Sequence, residues 1–108
     1  MLEAEFLAPI SRHIWEQKYR LSRAGIPVES SLDQSLWRVA RAAASVERGG
    51  KAAKENWAAR FHGAMAGLEF IPGGRILAGA GTERHVTMFN CFVLGPIGDD
   101  LGAIFDAV

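Results

Sequence analysis

SSLDQSLWRVARAAASVERGG, residues 30–50, sets Leu32, Leu36, Val39, Ala40, Ala43 and Val46 at the spacing that returns side chains to one face of an α-helix every 3.6 residues. Ser30 or Ser31 stands where an N-cap accepts a backbone N–H, and Asp33 and Gln34 are placed to complete a capping box. The stretch therefore predicts an amphipathic helix that Gly49 and Gly50 stop. Arg38, Arg41 and Arg48 alternate with its apolar face, and their expected place is the solvated side.

Helical patterning continues on both sides. Upstream, Pro9 suits a first helical turn, and Ile10, Ile14 and Leu21 keep near-helical spacing until Gly25 and Pro27 end the segment. Downstream, Ala53, Trp57, Phe61, Ala64, Met65 and Leu68 predict a third helix from about Ala52 to Leu68, antiparallel to the second. Trp15, Trp37 and Trp57 occupy helical positions and are most simply packing anchors. His13, His62 and His85 lie far apart in sequence and read as surface or packing residues rather than metal ligands.

With 108 residues the chain can bury one modest core. Its twelve basic and twelve acidic residues cancel, so no net field draws it to nucleic acid or to an anionic membrane. No apolar run approaches the roughly 20 residues that span a bilayer, and the acids near the N-terminus do not suit a signal peptide. The expected location is the cytoplasm. A single cysteine, Cys91, excludes an internal disulfide framework and a multi-cysteine metal site.

At Phe70 the pattern changes. FIPGGRILAGAGT, residues 70–82, packs one proline and four glycines into thirteen residues, and VTMFNCFVL, residues 86–94, has the length and aromatic content of a buried strand. Pro96 and Gly98 close that strand, and Asp99 or Asp100 can cap a last helix that runs to Val108. The expected fold is mostly α: a helical N-terminal region over residues 1–70, then a second region over 71–108 with a glycine-rich turn, a strand and a helix. One strand cannot satisfy its own backbone groups, so the chain is expected to be the front end of a longer protein. GGRILAGAG lacks the Lys-Ser/Thr of a phosphate loop and the spacing of a dinucleotide site. A tight turn with close helix packing is the plainer reading of it. Cys91 taken alone is a small apolar residue.

PISRHIWEQKYR, FIPGGRILAGAGT and FNCFVLGPIGDDLGAIFDAV, taken in that order and spacing, resemble the N-terminal part of ribonucleotide reductase large chains, specifically the adenosylcobalamin-dependent class. The resemblance implies that residues 86–94 form the first strand of a ten-stranded α/β barrel whose other strands are absent here. It implies that Cys91 is a redox-active reductant: with a second thiol it supplies two electrons to the ribose while a thiyl radical on a third cysteine starts the reaction. Asn90 and Gly81 are implied to line the ribonucleotide substrate, with phosphate held by backbone N–H groups. The commoner Pro-Thr pair of the family is Arg75-Ile76 here, so a hydroxyl contact is lacking at Ile76. Asp99, or its neighbour Asp100, is implied to contact a deoxynucleoside triphosphate effector.

The resemblance further implies adenosylcobalamin as cofactor, a thioredoxin-type reductant, the remainder of the reductase chain as partner, and a homodimer of the complete enzyme. The family's radical cysteine and its other catalytic groups have no counterpart in these residues, so the chain is expected to be inactive alone. The activity is assigned at family level as ribonucleoside-diphosphate reductase, with triphosphate substrates equally open. Two other readings compete with it: a non-enzymatic helical module whose tryptophan-bearing helices bind a partner, and a regulatory nucleotide-binding fragment built on Asp99 and the final helix.

Overall fold

The computed structural model describes residues 6–108. Within it the chain is mostly helical: α1 Pro9–Ile14, α2 Leu32–Ala44, α3 Gly50–Ala66, α4 Gly74–Gly79 and α5 Leu101–Asp106, with a short hairpin of β1 Ser22–Arg23 and β2 Ile26–Pro27. The expected α class is what the structure shows.

The second helix forms for the reasons its sequence gives. Ser31 Oγ accepts from Gln34 N–H at 3.3 Å, and Gln34 Oε1 accepts from Ser30 N–H at 2.8 Å. Both ends of the Ser-x-x-Gln device are thus engaged. Leu36, Val39 and Ala40 are buried and form the core with Met65 of α3 and Ala80; Leu32, Ala42, Phe61, Ala66, Ile76 and Leu77 pack around them. The expected antiparallel pairing of α2 and α3 holds, because Asp33 meets His62 while Arg41 meets Glu55. As one helix advances, its contacts recede along the other.

Several boundaries and faces differ from expectation. The second helix ends at Ala44, before the two glycines, and leaves Ala43 and Val46 exposed. Gly49, at φ 109°, instead precedes α3, and Gly50 opens it. Leu68 adopts φ 59° past the end of α3 and is exposed rather than packed. The first helix is α-helical only to Ile14 and continues as a π-helical turn, Trp15–Tyr19. Ile10 and Ile14 stay 60% and 38% exposed, whereas Trp15 is buried. Trp15 is held inward by the bond from its Nε1 to Ser35 Oγ, so the expected isoleucine face is not the one that packs. Gly25 and Pro27 do more than end that helix: Ala24 and Gly25 both take positive φ and close a two-residue hairpin.

Arg38 is the largest correction. Its expected place is the solvated face, yet its side chain is only 8% exposed. Arg41 and Arg48, by contrast, are exposed as expected.

Residues 86–94 are exposed and without a ladder partner, with a bend at Asn90, rather than a buried strand. The physical reason is the one that strand formation always imposes: backbone N–H and C=O groups pair with neighbours or with water, and the only ladder among the described residues is the hairpin. Phe89, Phe92, Val93, Leu94, Ile104 and Phe105 are all more than two fifths exposed. The chain accordingly exposes 8104 Å², about 2,200 Å² more than a compact chain of its size. Its radius of gyration is 17.7 Å, against about 13 Å for a compact domain of similar length.

Candidate functional site

The expected site residues follow α4, so α4 is where their placement begins. Gly73 precedes the helix and Ala80 follows it. Three of the glycines around it are contact points. A side-chain carbon at Gly74 would lie 3.0 Å from the Tyr19 hydroxyl, and one at Gly79 would lie 2.8 Å from Val86 Cγ2. One at Gly81, where φ is +73°, would lie 2.8 Å from Arg38 Cγ and 3.0 Å from the Arg38 carbonyl. Glycine is required at that last position both by the backbone conformation and by the approach to α2.

The turn after α4 is closed by Thr82 Oγ1, which donates to the Gly79 carbonyl at 2.8 Å, and by Arg84, which donates to the Ala78 carbonyl at 2.8 Å. The segment after it then returns along α4. Val86 and Met88 reach Gly79, and the Asn90 amide lies 3.7–3.8 Å from where a Cβ on Gly73 would stand. Residues 86–90 therefore run opposite to the helix beside them.

Asn90 is thus placed against the glycine-rich block, at its Gly73 end. Gly81 lies against α2 at the other end. Cys91 follows Asn90, is exposed and carries a free thiol; the rings of Phe89 and Phe92 on either side of it meet edge-on with centroids 6.2 Å apart. Of the two aspartates, Asp100 is the cap of α5, its Oδ1 accepting from Ala103 N–H at 2.9 Å, which leaves Asp99 outside the cap.

A buried polar cluster that no local sequence pattern marks lies beneath α4. Glu29 is buried, and its Oε1 accepts from Leu21 N–H and from Ser35 Oγ, each at 2.8 Å. Its Oε2 accepts from Arg38 Nε at 3.1 Å. Arg38 donates onward to the carbonyls of Ala80 at 2.6 Å, Leu77 at 3.0 Å and Tyr19 at 3.0 Å. Trp15 Nε1 donates to Ser35 Oγ at 2.9 Å. One ion pair so joins the first helix, the segment before α2, α2 itself and the C-terminal end of α4. Burial of two charges is tolerated because both are paired and hydrogen-bonded. The signal in the sequence is slight, since Glu29 and Arg38 are nine residues apart and the carbonyls are about forty residues further on.

The tryptophans act as packing groups and the histidines divide between packing and surface positions, as expected. His62 stacks on Trp37 and meets Asp33, while His13 and His85 are exposed. Among the described residues no group of three His, Cys, Asp or Glu is arranged to hold a metal ion. An open groove between the end of α2 and the start of α3, lined by Arg41, Ser45, Lys51, Lys54, Glu55 and Ala58, contains none of the expected site residues. No described helix is long and apolar enough to cross a membrane.

Residues 5–85 match the family model described as ribonucleotide reductase, all-alpha domain. No curated protein and no solved structure matches the chain.

Proposed function

This chain belongs to the ribonucleotide reductase family through its all-alpha domain, and from that premise we propose that it supplies the N-terminal part of an oxidoreductase converting ribonucleotides to 2′-deoxyribonucleotides for DNA synthesis. One observation carries the reading: the matched helical domain leads directly into an exposed Asn-Cys-Phe segment held beside the glycine-rich block.

In this reading Cys91 is one of two reductant thiols. The C2′–O bond breaks and the hydroxyl leaves as water with one thiol proton, the two electrons and the second thiol proton make the new C2′–H bond, and the two sulfurs join as a disulfide. A thioredoxin-type dithiol then reduces that disulfide by exchange. Asn90 and Gly81 line the nucleotide, and Asp99 faces a deoxynucleoside triphosphate effector. Asp100 is the weaker candidate for that contact because its carboxylate is engaged in the cap.

The exposed apolar segment from Val86 to Val108 is the surface that the remainder of the reductase covers, since unpaired backbone and aromatic side chains left in water are an interaction surface. The complete enzyme works in the cytoplasm as a homodimer. For its class we favour the adenosylcobalamin-dependent one. Among the described residues no cluster of metal-ligating side chains stands at Asn90–Cys91, and the groups that would hold that cofactor belong to the remainder of the reductase.

The test is reconstitution. The chain combined with the remainder of the reductase is expected to turn over repeatedly with a dithiol reductant, and Cys91→Ser is expected to abolish that turnover. Repeated turnover by the serine variant would end the reductant assignment.

A further inference from the structure

We infer that Arg38 is a positioning residue for the Asn90–Cys91 segment, acting through α4. The inference rests on the functional reading above only for why the place of Cys91 matters.

Arg38 is the one side chain of α2 that grips both carbonyls at the C-terminal end of α4, those of Leu77 and Ala80. Helix C-terminal carbonyls lack intrahelical partners, and a guanidinium presents several donors in a fixed fork. The fork is itself fixed, because Glu29 holds its Nε and the Tyr19 carbonyl takes another of its donors. Gly81 completes the contact by letting the chain pass directly against Arg38.

A six-residue helix has little stability of its own. The position of α4 is therefore set by what grips it, and the segment carrying Asn90 is in turn set by α4. Val86 and Met88 lie against Gly79, and Asn90 lies against Gly73. From Glu29 the chain of contacts runs through Arg38 and α4 to Asn90, the neighbour of the free thiol. Lysine at position 38 keeps the charge but cannot bond Glu29, Leu77, Ala80 and Tyr19 at once. It is expected to loosen the track without removing the ion pair.

The 108-residue chain contains one cysteine, so a nitroxide attached to Cys91 reports on this segment alone. The spectrum of the labelled chain is expected to contain a slow component, and Arg38→Lys is expected to lose it. Ser35→Ala is the control: it removes the Trp15–Ser35–Glu29 bonds at Glu29 Oε1, the oxygen that Arg38 Nη2 reaches only at 3.4 Å, and destabilises the same hub without touching α4. It is expected to keep the slow component. Equal loss in both variants would reduce Arg38 to a general stabiliser and overturn the inference, as would a slow component unchanged in a folded Arg38→Lys chain. Should Arg38→Lys fail to fold, Gly81→Ala decides the matter, because it drives a carbon into Arg38 while leaving the ion pair in place. Retention of the slow component in that variant would also overturn the inference. The reductant role of Cys91 is read by turnover instead, so the two proposals can fail separately.

Discussion

Arg38 Nε lies 3.1 Å from Glu29 Oε2, with the two side chains 8% and 6% exposed. Removing one member of such a pair leaves a buried charge unpaired, which costs about 3–5 kcal/mol. Arg38→Met is therefore expected to lower the unfolding free energy by about that amount in a urea titration followed by circular dichroism. Adding Glu29→Leu to the same chain is expected to recover part of the loss, because the orphaned carboxylate goes with it. Two losses that simply add would show that the pair is not coupled.

A smaller and more local effect is expected at the start of α2. Ser31 Oγ is the side-chain acceptor for Gln34 N–H, and replacing such a cap by alanine costs about 1 kcal/mol. Ser31→Ala is expected to lose that much, and Ser31→Gly only a few tenths of it. An alanine variant as stable as the parent would mean that water replaces the cap without loss.

These two sites also show what the sequence discloses and what it hides. The cap is legible because Ser31 and Gln34 lie three residues apart and the rule joining them is local. The role of Arg38 is not legible: its place on a helical wheel is polar, and the groups that bury it come from Glu29, Tyr19 and the two carbonyls near residue 80. The burial of Trp15 at the start of the π-helical turn is hidden for a related reason, since the group it bonds, Ser35 Oγ, lies twenty residues away. Residues 86–94 have the composition of a strand, but composition specifies only a capacity for pairing. Asn90, Cys91 and the glycine block could be singled out in the sequence, whereas their mutual placement depends on α4, whose grip by Arg38 could not be.

His62 joins two contacts in one ring. It stacks on Trp37 with centroids 4.0 Å apart and planes 9° from parallel, and its Nε2 lies 2.6 Å from Asp33 Oδ1. His62→Ala loses both, at an expected cost of about 1–2 kcal/mol. His62→Phe keeps an aromatic face for Trp37 and gives up only the Asp33 contact, whose carboxylate is exposed enough to be rehydrated. The phenylalanine variant is therefore expected to melt between the parent and the alanine variant. Equal melting temperatures for the two variants would show that the stack adds nothing.

The exposed thiol makes a direct check on the placement of Cys91. A disulfide reagent added to the folded chain without denaturant is expected to titrate one thiol per chain, because the cysteine is free and exposed. Oxidation at high protein concentration is expected to give disulfide-linked dimers, since no second cysteine is available within the chain. A thiol that reacts only after denaturant is added would contradict its exposure.

The apolar segment at the end of the described chain makes the last prediction. The core consists of α2, α3 and Ala80 with their immediate neighbours, and none of its members lies beyond residue 80. Residues 91–100 are all exposed, and in α5 only Ala103 is even partly covered. Deleting residues 91–108 keeps the contacts of Val86, Met88 and Asn90 with α4. The melting temperature is therefore expected to stay within about 2 °C of the parent, since a shift of that size corresponds to well under 1 kcal/mol for a domain of this length. The exposed rings of Phe92 and Phe105 disappear with the deletion, so binding of a hydrophobic dye and self-association at high concentration are expected to fall. A deletion that unfolds the helices would place the segment inside the core after all and count against its being an interaction surface.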